Sequence, residues 1–470
     1  MQKRTYYKQR LQRSLTGVLL LLLLASSCKK FVDIDLPGKN LLAPYVLENN
    51  SSLVAALNGV YSAMADPSGD LFIKPALFAD ELSASADLLS SQNTYSPTDA
   101  VPYRFFADYY KVVYNANYLL QGLETASTML SPDTIKLVKG ECYFLRAFSY
   151  FQLTNFYGMP PLVLTTNHNV AAFAPNSTED ALYAQIIADL KLAAGLLPNG
   201  YPEAAAAPVK RVRVNKQAVH TLLAKVYLYR KDWTNAIAMA DSVLAVDSLY
   251  GLAGSIGAIF DPASKETIWQ VFNQTGVTPI AAQLVPSSAT VVPSITVRDE
   301  MVTAFDTSND LRYKAWVKIQ SLTTPAPAKY FYANKYKVRT AGAGTEYLVQ
   351  FRLADIVLTK AEALARNNKL SDAVTELEKI RTRAGLLNPL PSDISSGALL
   401  DTIALERKRE LAFEAGNRWF DLKRTGKALA VLQPIKPDFE EYRALLPYSA
   451  GASSTVIGVN PNMKQNDGYK

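Results

Sequence analysis

The stretch "HTLLAKVYLYRKDWTNAIAMADSVL", His220–Leu244, carries the pattern of two short amphipathic helices. Apolar residues recur there at the i, i+3, i+4, i+7 and i+8 spacing of one helical face. That face begins one residue before the stretch and consists of Val219, Leu222, Leu223, Val226 and Tyr227. The stretch therefore predicts a helical hairpin whose apolar side packs against a neighbouring element.

A second stretch, "DIVLTKAEALARNNKLSDAVTELEKI" at Asp355–Ile380, can be aligned with the first. The aligned pairs are Ala224 with Ala361, Tyr227 with Leu364, Ala236 with Ala373, and Val243 with Ile380. A small residue, a bulky one three later and an alanine nine after that is the tetratricopeptide (TPR) pattern. Small residues let the two helices approach closely while bulky ones fill the groove. The alternative is two unrelated amphipathic hairpins.

The two copies are separated by a long stretch in which helix signals fade and Gly, Pro, Ser and Thr become frequent. Within it, "ETIWQVFNQ" and "KYFYANKYKVRT" predict short strands, and only "VRDEMVTAFD" predicts a helix. Long irregular insertions on a rigid scaffold are common binding regions. We expect a mainly α protein, a TPR-like scaffold with an irregular, partly β insert. The expected segments are scaffold at 46–248, ligand-binding insert at 249–345, scaffold at 346–430 and a C-terminal loop region at 431–470.

The N-terminal residues predict a secretory signal peptide over 1–27. Basic residues precede six consecutive leucines, Leu19–Leu24, and the apolar run is too short to span a membrane. A soluble-core helix would need a polar face, which this run lacks. "LASSC" resembles a bacterial lipobox, which implies cleavage before Cys28 and acylation of its thiol with chains such as palmitate. Residues 28–45 would then form a lipidated tether that is anchored in a membrane by its acyl chains.

Charge and cysteine content restrict the function further. Removal of residues 1–27 takes away five positive charges and no negative ones, which lowers the net charge from +7 to +2. The electrostatic case for nucleic acid binding therefore disappears. With Cys28 acylated, Cys142 has no partner for a disulfide, and its apolar neighbours predict a buried, unreactive thiol.

The densest charged stretch is "ALERKRELAFEAGNRWFDLKR", Ala404–Arg424. Glu406, Glu410 and Glu414 are four apart and share one helical face. One interpretation is a carboxylate pair for glycoside hydrolysis. The favoured one is a structural ion-pair network, because each glutamate has an arginine three or four residues away. Its expected members are Glu406, Arg407, Glu410, Glu414, Arg418, Asp421 and Arg424.

Catalytic and metal-binding signatures are missing from the sequence. The chain has two histidines, His168 and His220, and neither an H-E-x-x-H nor a C-x-x-C motif, which makes a zinc site improbable. "AGSIG" around Ser255 resembles a nucleophile elbow, but no histidine follows it. We expect neither an enzyme nor a bound metal or cofactor.

Seven segments, in this order, resemble the SusD/RagB nutrient-uptake lipoproteins of the Bacteroidetes outer membrane. They are "CKKFVDIDLP", "YNANYLL", "GECYFLRAFSYFQLTNFYGMPPLV", "LLAKVYLYRKDWTNAIAMA", "RLADIVLTKAEALARNN…AVTELEKIRTRAG", "ERKRELAFEAGNRWFDLKR" and "NPNMKQNDGY". Two departures occur near the end, at "LLPYSAG" and at Asp467. The resemblance implies a surface-exposed lipoprotein that captures glycans or other oligomers. It also implies a SusC-like TonB-dependent transporter as partner, with the TPR helices facing that transporter and the irregular part carrying the ligand.

Sugar capture requires exposed aromatic rings, because the apolar face of a pyranose stacks on them. The candidates outside the predicted helices are Phe72, Tyr95, Tyr313, Trp316, Tyr330 and Tyr332, with Trp316 the first choice. Trp269, inside "IWQVF", is expected in the core. The alternatives to a binding lipoprotein are a secreted glycoside hydrolase and a periplasmic TPR protein-interaction scaffold. The ligand stays open among starch, host glycans, plant polysaccharides and peptides.

Overall fold

The computed structural model describes residues 47–124, 129–202, 210–324, 326–449 and 460–469. The predicted signal peptide, Cys28 and the tether to residue 45 lie outside these residues. In the described part of the chain, no helix has both the length and the apolar character needed to cross a bilayer.

Helices make up most of the chain before and after the insert. Those before it are α1 (Asn50–Phe78), α2 (Leu88–Gln92), α3 (Ala100–Gly122), α4 (Pro132–Tyr157), α5 (His168–Ala171), α6 (Glu179–Leu196), α7 (Lys216–Tyr229) and α8 (Trp233–Leu244), with strand β1 at Leu82–Ala84. The insert contains β2 (Thr267–Val271), α9 (Ala281–Leu284), β3 (Ile295–Val297), α10 (Asp299–Val302), α11 (Leu311–Trp316), β4 (Val317–Leu322) and β5 (Ala328–Ala333). The chain continues with β6 (Leu348–Arg352), α12 (Leu353–Arg366), α13 (Leu370–Arg383), α14 (Ser396–Glu410), α15 (Asn417–Arg424) and α16 (Ala428–Leu432). The fold is mainly helical, as the sequence predicted.

The two TPR-like stretches form the hairpins α7–α8 and α12–α13. Their aligned alanines, Ala224, Ala236, Ala361 and Ala373, are all fully buried. Because these side chains are small, the helices of each hairpin pack closely. Helix α8 also packs against α12, so the hairpins stack on one another although the insert separates them in sequence.

The strands β2 and β6, which lie near the two ends of the insert and which we call its neck, explain why the two hairpins stack. Strands β2 and β6 pair antiparallel, with Thr267 opposite Arg352 and Val271 opposite Leu348. The strand predicted in "ETIWQVFNQ" is therefore confirmed as β2. The chain leaves the scaffold and returns to it side by side, which allows α8 to meet α12. Trp269 of β2 is fully buried, with its ring centroid 5.1 Å from that of Phe148 on α4, and the neck is thus packed into the helical core.

Short strands connect the insert to the segment that follows α1. Strand β1 pairs with β3, with Leu82 opposite Val297, and β4 pairs with β5. Strand β3 also packs beside β5, and α2 packs on β1. We call the set α2, β1, β3, β5 and β4 the insert layer. It brings residues from before α3 together with residues of the insert, a proximity that no local sequence pattern shows.

Cys142 lies on α4 and is fully buried, as predicted. Burial raises the pKa of its thiol above the ordinary value, which keeps the thiol protonated. The thiolate is the reactive form, so the structure gives Cys142 a packing role.

Candidate ligand-binding surface and buried ion-pair network

The tryptophan favoured as a stacking platform is a core residue. Trp316 ends α11 and is only 2% exposed. The Lys335 ammonium lies over its ring, and the Phe260 ring approaches it edge-on with 6.2 Å between centroids. The expectation that Trp316 presents an open ring to a sugar is therefore wrong, because both neighbours cover it.

Phe72 and Tyr95 are also buried, at 1% and 4% exposure. Phe72 lies within α1, which continues to Phe78, and not in a loop. Its ring meets Tyr336 edge-on with 5.7 Å between centroids. The Tyr95 hydroxyl is hydrogen-bonded to Ser90 Oγ. The expectation of an exposed ring is wrong for both residues, because each packs inside the fold.

The remaining candidates, Tyr313, Tyr330 and Tyr332, are half-buried. Tyr313 lies on α11, and its ring centroid is 6.0 Å from that of Phe305. Tyr330 and Tyr332 belong to β5, apart from Tyr313 in secondary structure. The structure thus places only Tyr330 and Tyr332 on one continuous element.

The β4–β5 hairpin determines where these two tyrosines point. Tyr330 is opposite Gln320 and Tyr332 is opposite Lys318 in the register. Paired residues share a face of a two-stranded sheet, and residues two apart on one strand share it too. Tyr330 and Tyr332 therefore lie on one face with Lys318 and Gln320, and we call these four residues the tyrosine face.

The opposite face of the hairpin carries Ile319 and Phe331, which are paired with each other. Ile319 is exposed and Phe331 is half-buried. The tyrosine face is tied to a neighbouring loop, because Gln320 Nε2 donates to the Ser288 carbonyl at 3.2 Å. The sequence analysis missed Lys318 and Gln320, because it predicted β5 but not its partner strand.

The chemistry of the hairpin suits a polar ligand with an apolar face. Neither β4 nor β5 contains a carboxylate, whereas Lys318 and Lys329 supply positive charge. Tyrosine rings offer flat apolar area, and their hydroxyls can both donate and accept hydrogen bonds. No cluster of three or more possible metal-ligating side chains occurs among the described residues.

The glutamates of the charged stretch are buried in ion pairs. Glu406 and Glu410 are fully buried and Glu414 is nearly so. Arg312 Nη1 lies 3.0 Å from Glu410 Oε2, and Arg352 Nε lies 2.7 Å from Glu414 Oε2. A glycan has no access to Glu406 or Glu410, which argues against glycoside hydrolysis by this pair.

Most partners of these glutamates come from distant parts of the chain. Arg312 and Lys335 belong to the insert, Arg352 ends β6, and Arg383 ends α13; Arg383 pairs with both Glu410 and Glu266. Among the partners in the described part of the chain, only Arg409 is a near neighbour in sequence, with Nη1 3.7 Å from Glu406 Oε2. Because insert residues meet glutamates of α14 and its C-terminal extension, this network attaches the insert to the scaffold.

The other expected members pair elsewhere. Arg407 Nε lies 2.7 Å from Asp421 Oδ2, and Arg424 Nη2 lies 2.6 Å from Glu362 Oε2. Arg418 forms a two-pronged pair with Asp80, with Nε 2.8 Å from Oδ1. These contacts join α12, α14, α15 and the end of α1, so the charged stretch serves several junctions.

Burial and neighbouring charges shift the pKa values of groups in the network. Burial alone would raise the pKa of Glu410, but Arg383, Arg352 and Arg312 hold that pKa well below the ordinary value. Burial lowers the pKa of Lys335 to about 8, although Glu414 opposes the shift. Glu410 therefore stays ionised over the physiological range and keeps its three arginines in place.

Known proteins resemble this chain over most of its length. Residues 41–228 match a SusD-like family model described as starch-binding and associating with the outer membrane, and residues 260–469 match the SusD family model. SusD-like protein P2 of Formosa agariphila is 27% identical, over 96% of this chain and 98% of that protein.

Solved structures agree with the fold. A SusD superfamily protein from Bacteroides vulgatus superposes with a TM-score of 0.76 at 21% identity, covering 90% of this chain and 99% of that one. A laminarin-binding SusD-like protein superposes with a TM-score of 0.75 at 25% identity, covering 90% of this chain and all of the other. With two models of one family matching successive parts of the sequence, the chain belongs to the SusD/RagB family.

Proposed function

We propose that this protein is a cell-surface lipoprotein that captures glycans and delivers them to a SusC-like TonB-dependent transporter in the outer membrane. Support comes from the family description, which couples starch binding to the outer membrane, and from the similar laminarin-binding protein. Neither resemblance names the glycan that this chain binds.

The observation that carries the proposal is the tyrosine face. Tyr330 and Tyr332 lie on the same side of a short hairpin, neither ring is fully buried, and Lys318 and Gln320 lie opposite them. A sugar ring needs a flat apolar surface with hydrogen-bonding groups beside it. The rings of Tyr330 and Tyr332 provide the surface, and their hydroxyls together with the half-buried Lys318 provide the hydrogen-bonding groups, whereas Gln320 is only 8% exposed and holds the face to Ser288. The buried network attaches the insert that carries the hairpin to the helical scaffold.

The proposed anchor is the acylated Cys28. Acyl chains contribute about 0.8 kcal/mol per buried CH₂, so several chains hold a protein firmly at a bilayer. A Cys28→Ser variant should be found in the soluble fraction, whereas the wild type should sediment with outer membranes. Firm membrane association of the variant in cells without the transporter would contradict lipid anchoring.

The proposed partner is tested by purification from outer membranes. The TPR-like hairpins α7–α8 and α12–α13 are the surface that we assign to the transporter. Affinity purification in mild detergent should recover a large TonB-dependent barrel with this protein. Recovery of the lipoprotein alone would contradict delivery to such a transporter.

Glycan capture is tested with the soluble form that lacks the first 28 residues. On a glycan array this form should bind one class of oligosaccharide, and titration calorimetry should then give a dissociation constant for that class. If no saccharide binds at millimolar concentration while a peptide does, the proposal fails in favour of a protein-interaction scaffold. Release of reducing sugar from the bound glycan would instead indicate a hydrolase.

A further inference from the structure

A cavity of about 540 Å³ lies between the middle of α1, the segment before α7, and β2 with the residues that follow it, and none of its described lining residues belongs to the insert layer. Its walls include Asn58 and Tyr61 of α1, Lys210 and Arg213 before α7, and Phe272 and Gln274 after β2. We propose that this cavity is a second glycan subsite, selective for saccharides that carry a carboxylate or a sulfate. The inference rests on the proposed function and deepens it.

Phe272 supplies the flat surface of this subsite. Its side chain is 46% exposed, which is unusual for a phenylalanine that directly follows a fully buried strand. The Tyr347 ring packs beside it with 5.7 Å between centroids and is itself nearly buried. Phe272 is thus held by Tyr347 while part of its ring stays open to the cavity, where a pyranose could stack.

Lys210 supplies the charge. Its ammonium lies 5.3 Å from the Phe272 ring centroid, and its side chain is exposed. Among the described residues, no carboxylate lies within ion-pair distance of Lys210, and the described walls of the cavity contain none. An acidic group on a sugar above Phe272 would therefore meet an ammonium that the described part of the fold leaves without a counterion.

Arg213 lines the cavity with a guanidinium that is held in place by an ion pair. Its guanidinium holds the buried Glu141 with Nε–Oε2 of 2.6 Å and Nη2–Oε1 of 2.7 Å, and its side chain is 16% exposed. The two charges of this pair offset each other, so Lys210 is the remaining charge among the described residues that line the cavity. The exposed amides of Asn58 and Gln274 are available for sugar hydroxyls. A neutral glucan would gain nothing from Lys210, which is why the subsite favours an acidic sugar.

The test measures binding of the soluble form by calorimetry with three probes of equal length: a neutral glucan, a hexuronate oligosaccharide and a sulfated oligosaccharide. The acidic probes separate the two sources of negative charge. We expect an acidic probe to bind with an affinity that falls as salt rises. Lys210→Gln should weaken that probe about tenfold, the scale of one charge-assisted hydrogen bond, and leave neutral-glucan binding unchanged. Phe272→Ala should weaken the same probe.

The matched control is Lys191→Gln, which removes an exposed lysine from α6 and should change no affinity. Equal affinity of wild type and Lys210→Gln for both acidic probes would overturn the subsite. Loss of acidic-probe binding only when Tyr330 is changed would also overturn it while supporting the tyrosine face. Acidic binding that depends on Lys210, in a protein that ignores neutral glycans, would support the subsite and contradict the tyrosine face as the main site.

Discussion

Arg352 Nη1 lies 2.8 Å from Glu266 Oε1, which joins the last residue of β6 to the residue that precedes β2. Both side chains are buried. The same guanidinium also reaches Glu410 and Glu414, with Nη1 2.6 Å from Glu410 Oε1. One side chain therefore closes the neck of the insert and attaches it to the C-terminal end of α14.

We expect Arg352→Met to lower the free energy of unfolding by about 3–5 kcal/mol, because it leaves buried carboxylates without their cation. Urea denaturation of the soluble form measures this change. The control is Lys427→Met, which breaks an exposed pair with Asp401 at 2.8 Å and should cost at most about 1 kcal/mol. Equal costs for the two variants would mean that the network does not hold the neck.

Trp316→Ala tests whether this tryptophan supports the fold or the ligand. Removing a buried indole should cost about 3–5 kcal/mol of unfolding free energy, with loss of the contact to Lys335. Because the ring is covered, glycan affinity measured well below the melting temperature should stay within about twofold of wild type. A large loss of affinity without loss of stability would restore Trp316 as a ligand residue.

The local patterns of the sequence predicted the scaffold well. The aligned alanines of the two hairpins are buried, and Trp269 lies in the core, because helical and strand periodicity report directly on which side of an element is covered. The predictions that the Trp316 and Phe72 rings are exposed were wrong for a different reason. Their burial depends on Lys335 and Tyr336, which are distant in sequence and approach only once the insert folds back onto the scaffold.

The ion-pair partners of the glutamates could not be predicted from local sequence patterns either. The i to i+4 spacing suggested arginines on the same helix, yet Glu410 binds Arg312, Arg352 and Arg383. These pairs depend on the β2–β6 neck and on the position of α11, neither of which the spacing contains. The register of the β4–β5 hairpin, which defines the tyrosine face, could not be predicted either, because the sequence indicated β5 but not its partner strand.

Glu81 gives a prediction about pH. Burial raises the pKa of this carboxyl to about 8, although the Phe413 N–H, which donates to Oε1 at 3.0 Å, opposes the shift. In the unfolded chain the pKa of a glutamate is about 4.3. Between these values the folded state binds more protons than the unfolded state, so the contribution of Glu81 to stability falls as pH rises from about 4 to about 8.

Glu81→Gln should remove this dependence, because the amide is neutral and its oxygen can still accept from Phe413. The stability of the variant relative to wild type should rise by about 1 kcal/mol per pH unit or less between about pH 5 and about pH 8. Denaturant titrations at several pH values measure the slope. Glu441→Gln, at an exposed position, is the control and should show no such slope. A parallel pH profile for Glu81→Gln and wild type would mean that Glu81 is ionised in the folded protein.

The two faces of the β4–β5 hairpin allow a sharp test of glycan capture. Alanine at Tyr330 or Tyr332 should weaken binding of the glycan that the array identifies by about tenfold, because each variant loses stacking area and a hydroxyl.

Phe331→Ala is the matched control, since Phe331 lies between them on the same strand but points to the opposite face with Ile319. It should change the affinity by less than about twofold. All three side chains are half-buried, so thermal melts are needed to show that each variant stays folded at the assay temperature. If Phe331→Ala removes binding while the tyrosine variants keep it, the ligand lies on the Ile319 side of the hairpin and the tyrosine face is not the site.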